Sequence, residues 1–114
     1  MKMIIAVFKP SRLDAVLDAV TAAGAGGLTV SEVRGYGRQQ GKTEVYRGAE
    51  YAVRLLPKVR VEIACQDDQV EPLTEAIAGA AQTGKIGDGK IFVIDMESAL
   101  RIRTGERDAQ AVEV

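Results

Sequence analysis

The residues best suited to chemistry lie in one stretch, Thr83-Gly84-Lys85-Ile86-Gly87-Asp88-Gly89-Lys90-Ile91-Phe92. Three glycines fall within six residues, with Lys85 between them and Lys90 just after. Glycine reaches positive φ and lets a backbone approach a ligand closely. Successive N–H groups in such a turn form an anion-binding nest. The stretch nearly matches a P-loop, since Gly84 is followed after four residues by Gly89-Lys90. Ile91, however, stands where the P-loop places a magnesium-holding Ser or Thr, and Ile91 to Ile94 reads as a buried strand where a helix is required. A P-loop NTPase is thereby excluded. A phosphate cradle built by the same physics and a plain glycine turn feeding a strand both remain open. Arg101-Ile102-Arg103 is a second candidate. If that segment is extended, its two guanidiniums share one side and suit phosphate; otherwise they are two solvated arginines. Gly35-Tyr36-Gly37 begins like a dinucleotide fingerprint, but Gly41 comes one residue late and no helix opens there, so that match is rejected.

Composition narrows the partners. The 114 residues fit one domain, 1–114, with a small aliphatic core, because aromatics make up only 4%. Fifteen basic against sixteen acidic residues give a net charge of −1, which argues against a nucleic-acid binder. The chain has no histidine, so the commonest general base and metal ligand is missing. Cys65 is the single cysteine and has no internal disulfide partner, so it is expected to be a small core residue. No apolar run approaches the ~20 residues of a membrane span and the N-terminus does not read as a signal peptide, so a cytoplasmic location is the expectation.

The elements that must position these residues follow from periodicity. Lys2 to Lys9 reads as a central strand ended by Pro10. Ser11 and Asp14 have capping-box-like spacing, and Leu13, Val16, Leu17 and Val20 form a helical stripe stopped by Gly24, Gly26 and Gly27. Leu28 to Tyr36 reads as a second strand. Arg38 to Leu56 has poor helical and strand signals and reads as a long functional loop. Lys58 to Cys65 alternates, with Val59, Val61, Ile63 and Cys65 on one face and Pro57 just before it. Asp67 or Asp68 is expected to cap a second helix lined by Val70, Leu73, Thr74, Ile77, Ala80 and Ala81, with Pro72 near its first turn. A last strand, Lys90 to Met96, follows the glycines, and residues 107–114 are expected to fray. This order predicts an α+β ferredoxin-like βαββαβ domain: a four-stranded antiparallel sheet, both helices on one face, and a long loop between the second and third of these strands. The other sheet face needs cover, which points to oligomerisation.

Three segments of the chain resemble the PII signal-transduction proteins of nitrogen metabolism. They are Gly35 to Gln39 running on to Thr43 to Tyr51; Leu56-Pro57-Lys58-Val59; and Thr83 to Phe92 with Arg101-Ile102-Arg103-Thr104-Gly105-Glu106 behind it. The resemblance runs from Met1 to about Glu106 and implies a homotrimer with ATP or ADP in the clefts between subunits. It puts Gly87, Asp88, Gly89 and Lys90 on the phosphates, Arg101 and Arg103 across from the neighbouring subunit, and Thr29, Glu62 and Ala64 near adenine and ribose. Gly35 and Gly37 join the nucleotide set, and Arg38 contributes from the base of the long loop.

The same resemblance implies 2-oxoglutarate beside Mg-ATP. Magnesium would bridge the phosphates and the keto acid, with the Gln39 amide oxygen as its only side-chain ligand. Gln40, Gly41, Lys58 and Gly87 complete the effector set, with Lys58 on the distal carboxylate. The long loop, residues 38–56, would be the output. This T-loop would dock on an ammonium channel, a nucleotidyltransferase or a transcriptional regulator, so that any membrane contact runs through a protein partner. Arg47 looks like the residue that plugs a channel mouth, and Tyr51 like a tyrosine that is uridylylated or adenylylated. Ala49 excludes the serine phosphorylation of some relatives. Gln40 stands where a lysine is common, Arg54 where an acidic residue is usual, and Ser11 where an aromatic is usual. The first two put the partner and the strength of the 2-oxoglutarate response in question. No reaction is required of such a protein, and no nucleophile–base pair is visible. A sensor of another metabolite or of adenylate state, a small ATP-using enzyme and a ferredoxin-like RNA binder are the rival readings. Keeping Gln39 and Lys58 argues against the first, the lack of a positioned base against the second, and the lack of exposed strand aromatics against the third.

Overall fold

The computed structural model describes residues 1–37 and 55–112, together with the backbone of 43–46 and 49–52. Its principal sheet uses β1 (Lys2–Phe8), β2 (Thr29–Gly35), β5 (Leu56–Cys65) and β6 (Lys90–Asp95). Their order is β2-β5-β1-β6, with every neighbouring pair antiparallel. Helices α1 (Leu13–Ala22) and α2 (Val70–Ala81) connect the strands of the two halves, giving the ferredoxin-like βαββαβ plan.

Alternation in the strands decides which face the helices cover. Ile4, Ala6 and Phe8 of β1 and Val59, Val61, Ile63 and Cys65 of β5 are buried against Val16 and Val20 of α1 and Leu73, Ile77 and Ala81 of α2. Cys65 thus belongs to the core, and burial pushes its thiol pKa up. The opposite face carries Met3 and Ile5 of β1 in register with Ile94 and Phe92 of β6. Phe92 and Ile94 remain 50% and 51% exposed, so this apolar face is uncovered in the single chain.

Several sequence expectations need correction. No side-chain cap opens α1: Pro10 starts a 3₁₀ turn (Pro10–Arg12), Ser11 falls inside that turn, and the helix begins only at Leu13. Neither Asp67 nor Asp68 caps α2. A 3₁₀ turn (Asp67–Gln69) precedes it, Gln69 Oε1 accepts the Gln66 N–H at 3.0 Å, and the Asp67 carboxylate takes the N-terminal ammonium at 2.8 Å. Pro57 lies inside β5, opposite Arg34 near the end of the ladder.

The stretch read as irregular contains β3 (Thr43–Tyr46) and β4 (Ala49–Ala52), paired antiparallel from Thr43↔Ala52 to Tyr46↔Ala49. Thr43, Val45, Tyr46 and Tyr51 favour strands, but the charged Glu44 and Glu50 break up the apolar periodicity that would have shown it. Residues 107–112, expected to fray, form a bridge from Arg107 to Leu100 and the short helix α3 (Ala109–Val112). Asp108 anchors them: its N–H donates to Ala99 O at 2.8 Å, its O accepts from Ala111 and Val112, and its Oδ1 accepts the Ala99 N–H at 3.2 Å.

Candidate functional site

The glycine stretch links α2 to β6 and folds back on the end of β1. Gly87 and Gly89 have φ of 95° and 106°, and a Cβ on Gly89 would lie 1.8 Å from Val7 O. Only glycine therefore lets this loop cross β1 so closely. Asp88, Gly89 and Lys90 line a cavity of about 420 Å³ with Val7, Phe8 and Ile91. Lys58, on β5, donates its Nζ to Gly87 O at 2.7 Å, and its methylene chain packs where a Gly35 side chain would be, at 3.3 Å. Burial, with Lys9 nearby, lowers the Lys58 pKa, partly offset by Asp88. The loop therefore combines a glycine backbone with Lys58 and Lys90, which is the chemistry of an anion cradle.

The Asp88 side chain is turned back onto its own loop and the end of β1. Its Oδ2 accepts the Thr83 and Gly84 N–H groups at 2.8 and 2.9 Å. Its Oδ1 accepts the Thr83 hydroxyl and lies 3.3 Å from Lys9 Nζ. The Thr83 hydroxyl and N–H, then the Gly84 N–H and Lys9, hold the carboxyl well below the usual carboxylate range. Sequence reasoning missed Lys9, which gave no signal because its partners lie more than 70 positions away.

A second cavity of about 370 Å³ opens at the other end of the sheet. Thr29, Glu62, Ala64 and Arg101 line it, with Ala111 and Val112 of the C-terminal segment. Arg101 is held there by several groups. Its guanidinium donates to Gln110 O and Ala111 O, each at 3.4 Å, and lies 3.6 Å from Glu106 Oε1. Gln66 Nε2 pins the same segment through Ala109 O at 2.8 Å. The expected arginine pair is therefore not an extended clamp. Residues 102–104 form a turn closed by Gly105 N–H to Arg101 O at 2.8 Å, so Arg101 enters the cavity while Arg103 sits exposed on the turn.

The expected nucleotide residues thus fall into two groups. Thr29, Glu62, Ala64 and Arg101 share one cavity; Gly87, Asp88, Gly89 and Lys90 share a loop, which Lys58 of β5 reaches from beside Gly35 of β2. Lys58 and Glu62 lie four residues apart on β5, roughly 13 Å along a strand, and Ala64 lies farther still. Arg38, Gln39, Gln40, Gly41 and Arg47 lie outside the described residues, as does the side chain of Tyr51. Gly37 lies just beyond β2.

Comparison with known proteins decides the family. The family model described as "Nitrogen regulatory protein P-II" matches residues 1–106. The chain belongs to the P-II family. It is 57% identical over 112 residues to the nitrogen regulatory protein P-II of Rhizobium etli, covering 98% of this chain and all of that one. The P-II protein of Pasteurella multocida is also 57% identical, and nitrogen regulatory protein P-II 1 of Escherichia coli is 55% identical, over the same shares of each chain. These P-II relatives are named as regulatory proteins, and the family assigns this chain a regulatory role. Among the described residues no helix is long and apolar enough to cross a membrane.

Proposed function

We propose that this P-II protein is a trimeric sensor that reads ATP against ADP and, with Mg-ATP, 2-oxoglutarate. One observation carries the reading: among the described residues, the Gly87–Lys90 loop and the cavity of Thr29, Glu62 and Ala64 lie at opposite ends of the sheet. The uncovered apolar face of Met3, Ile5, Phe92 and Ile94 supplies the means of assembly, because an unpaired sheet face is buried by another layer. In the trimer, the Thr29, Glu62 and Ala64 cavity of one copy receives adenine and ribose. The Gly87–Lys90 cradle of its neighbour receives the phosphates, with Arg38 beside it and Arg101 and Arg103 reaching across from the copy that supplies the cavity.

Magnesium belongs to the nucleotide and keto acid, with Gln39 as its side-chain ligand; it prefers such phosphate-based sites. Lys58 pairs with the distal carboxylate of 2-oxoglutarate, exchanging its bond to Gly87 O for a charged partner. Residues 38–56 then report ligand state to an ammonium channel, a nucleotidyltransferase or a regulator, with Arg47 and Tyr51 as the contact and modification points. Ligands act only through their differential affinity for the states of that loop, and no catalysis by the protein is needed. The location is cytoplasmic in this reading.

The test is calorimetric titration of 2-oxoglutarate with and without Mg-ATP. Heat seen only with Mg-ATP is expected. Tight ATP binding with no 2-oxoglutarate heat in either run would move the function to a sensor of adenylate state or of another metabolite.

A further inference from the structure

The phosphate cradle contains a carboxylate, which should repel the anion it is meant to hold. The structure shows how that conflict is removed. Asp88 is three-quarters buried, with 25% of its side chain exposed, and both oxygens are engaged within the chain. Oδ2 bridges the N–H groups of Thr83 and Gly84, while Oδ1 takes the Thr83 hydroxyl and faces Lys9 Nζ. Lys9 Nζ also donates to the Thr83 hydroxyl at 3.3 Å, which closes a three-residue clasp. Lys9 directly follows β1 and precedes Pro10, so its backbone is anchored by the sheet, and its side chain is only 18% exposed. The clasp sits at Asp88, between the two positive-φ glycines, Gly87 and Gly89.

We propose that Lys9 and Thr83 are positioning residues for polyphosphate binding, acting through Asp88, whose carboxylate they turn inward so that the backbone of residues 87–90 is left to the anion. The proposal rests on the nucleotide reading above. It deepens that reading by naming what holds the cradle in its binding shape before the ligand arrives. A preordered loop loses less conformational freedom on binding, and a neutralised carboxylate no longer opposes the phosphates.

The sign of one mutational effect tests it. If Asp88 were merely a nearby negative charge among Lys9, Lys58 and Lys90, Asp88→Asn would tighten ATP binding. As the hub of the clasp, it should weaken binding by about tenfold or more, because the amide cannot accept from all four donors. Thr83→Val should weaken ATP binding several-fold, and Thr83→Ser, which keeps the hydroxyl, should recover it. Lys9→Met added to Asp88→Asn should cost little beyond Asp88→Asn alone, the signature of residues acting as one unit. Amide exchange in the free protein should speed up at 83–90 in Asp88→Asn and Thr83→Val but stay unchanged in β1 and α1. ATP binding by Asp88→Asn or Thr83→Val as tight as in the wild type, or tighter, overturns the clasp and leaves the nucleotide site standing. Absence of ATP binding by the wild type overturns both.

Discussion

The glycine loop at 83–90 is held by its own side chains and by the end of β1, whereas the cavity at Thr29, Glu62 and Ala64 is closed by residues 101–112 from the far end of the chain. In the loop the donors and acceptors of Thr83, Gly84 and Asp88 satisfy one another, so its shape precedes any ligand. In the cavity Arg101 is held by backbone carbonyls of Gln110 and Ala111, and a ligand phosphate would be a stronger partner for a guanidinium. The loop is thus preordered, while the cavity must give up contacts to accept a phosphate. In the proposed trimer neither completes a nucleotide site alone, so assembly and ligand binding are expected to be linked.

The difference can be broken most severely at Gly89. Gly89→Ala places a Cβ on Val7 O and should weaken ATP binding by about 100-fold or more in calorimetry, since the loop must leave β1. Breaking assembly should disable both halves while altering neither. Phe92→Asp, on the uncovered face opposite Ile5, is expected to give monomers by light scattering, with ATP binding lost and the helix signal in circular dichroism retained.

Arg101→Ala should act only on the cavity half. It is expected to weaken ATP by roughly 10-fold, the value of a charged hydrogen bond, and to speed amide exchange at 109–112 without changing it at 83–90. The smallest effect is on acid stability. Asp88 has a folded pKa below its ordinary 3.8, so its stabilisation is present above that value and is lost as pH falls through the folded one. Urea midpoints of the wild type should therefore fall more steeply below about pH 4 than those of Asp88→Asn, whereas Arg101→Ala should follow the wild-type slope.

The two regions also differ in how much of them was legible. The glycine turn could be read because glycine spacing is a local signal, and the strands around it followed from period-2 alternation such as Val59, Val61, Ile63 and Cys65. What could not be read depended on contacts between distant residues. Lys9 meets Asp88 only once β1 and β6 are paired. The turn after Arg101, the bridge from Arg107 to Leu100 and the Gln66 contact to Ala109 together build the cavity wall from a segment that looks like a loose end. The cap of α2 was misread for a similar reason: the N-terminal ammonium engages Asp67, and Gln69 bonds the Gln66 N–H. The β3–β4 ribbon escaped because its glutamates interrupt the apolar pattern.

In the proposed trimer each nucleotide site takes its cradle from one copy and its cavity from the next. Mixing tests it most directly: Gly89→Ala chains, lacking a cradle, are refolded together with Arg101→Ala chains, whose cavity is impaired. The account predicts that the mixture regains about one quarter of the wild-type number of tight ATP sites, because a head-to-tail interface pairs the intact half of one variant with the intact half of the other. A mixture that binds no better than the two variants measured separately would show that both halves serve the same chain, and would contradict it.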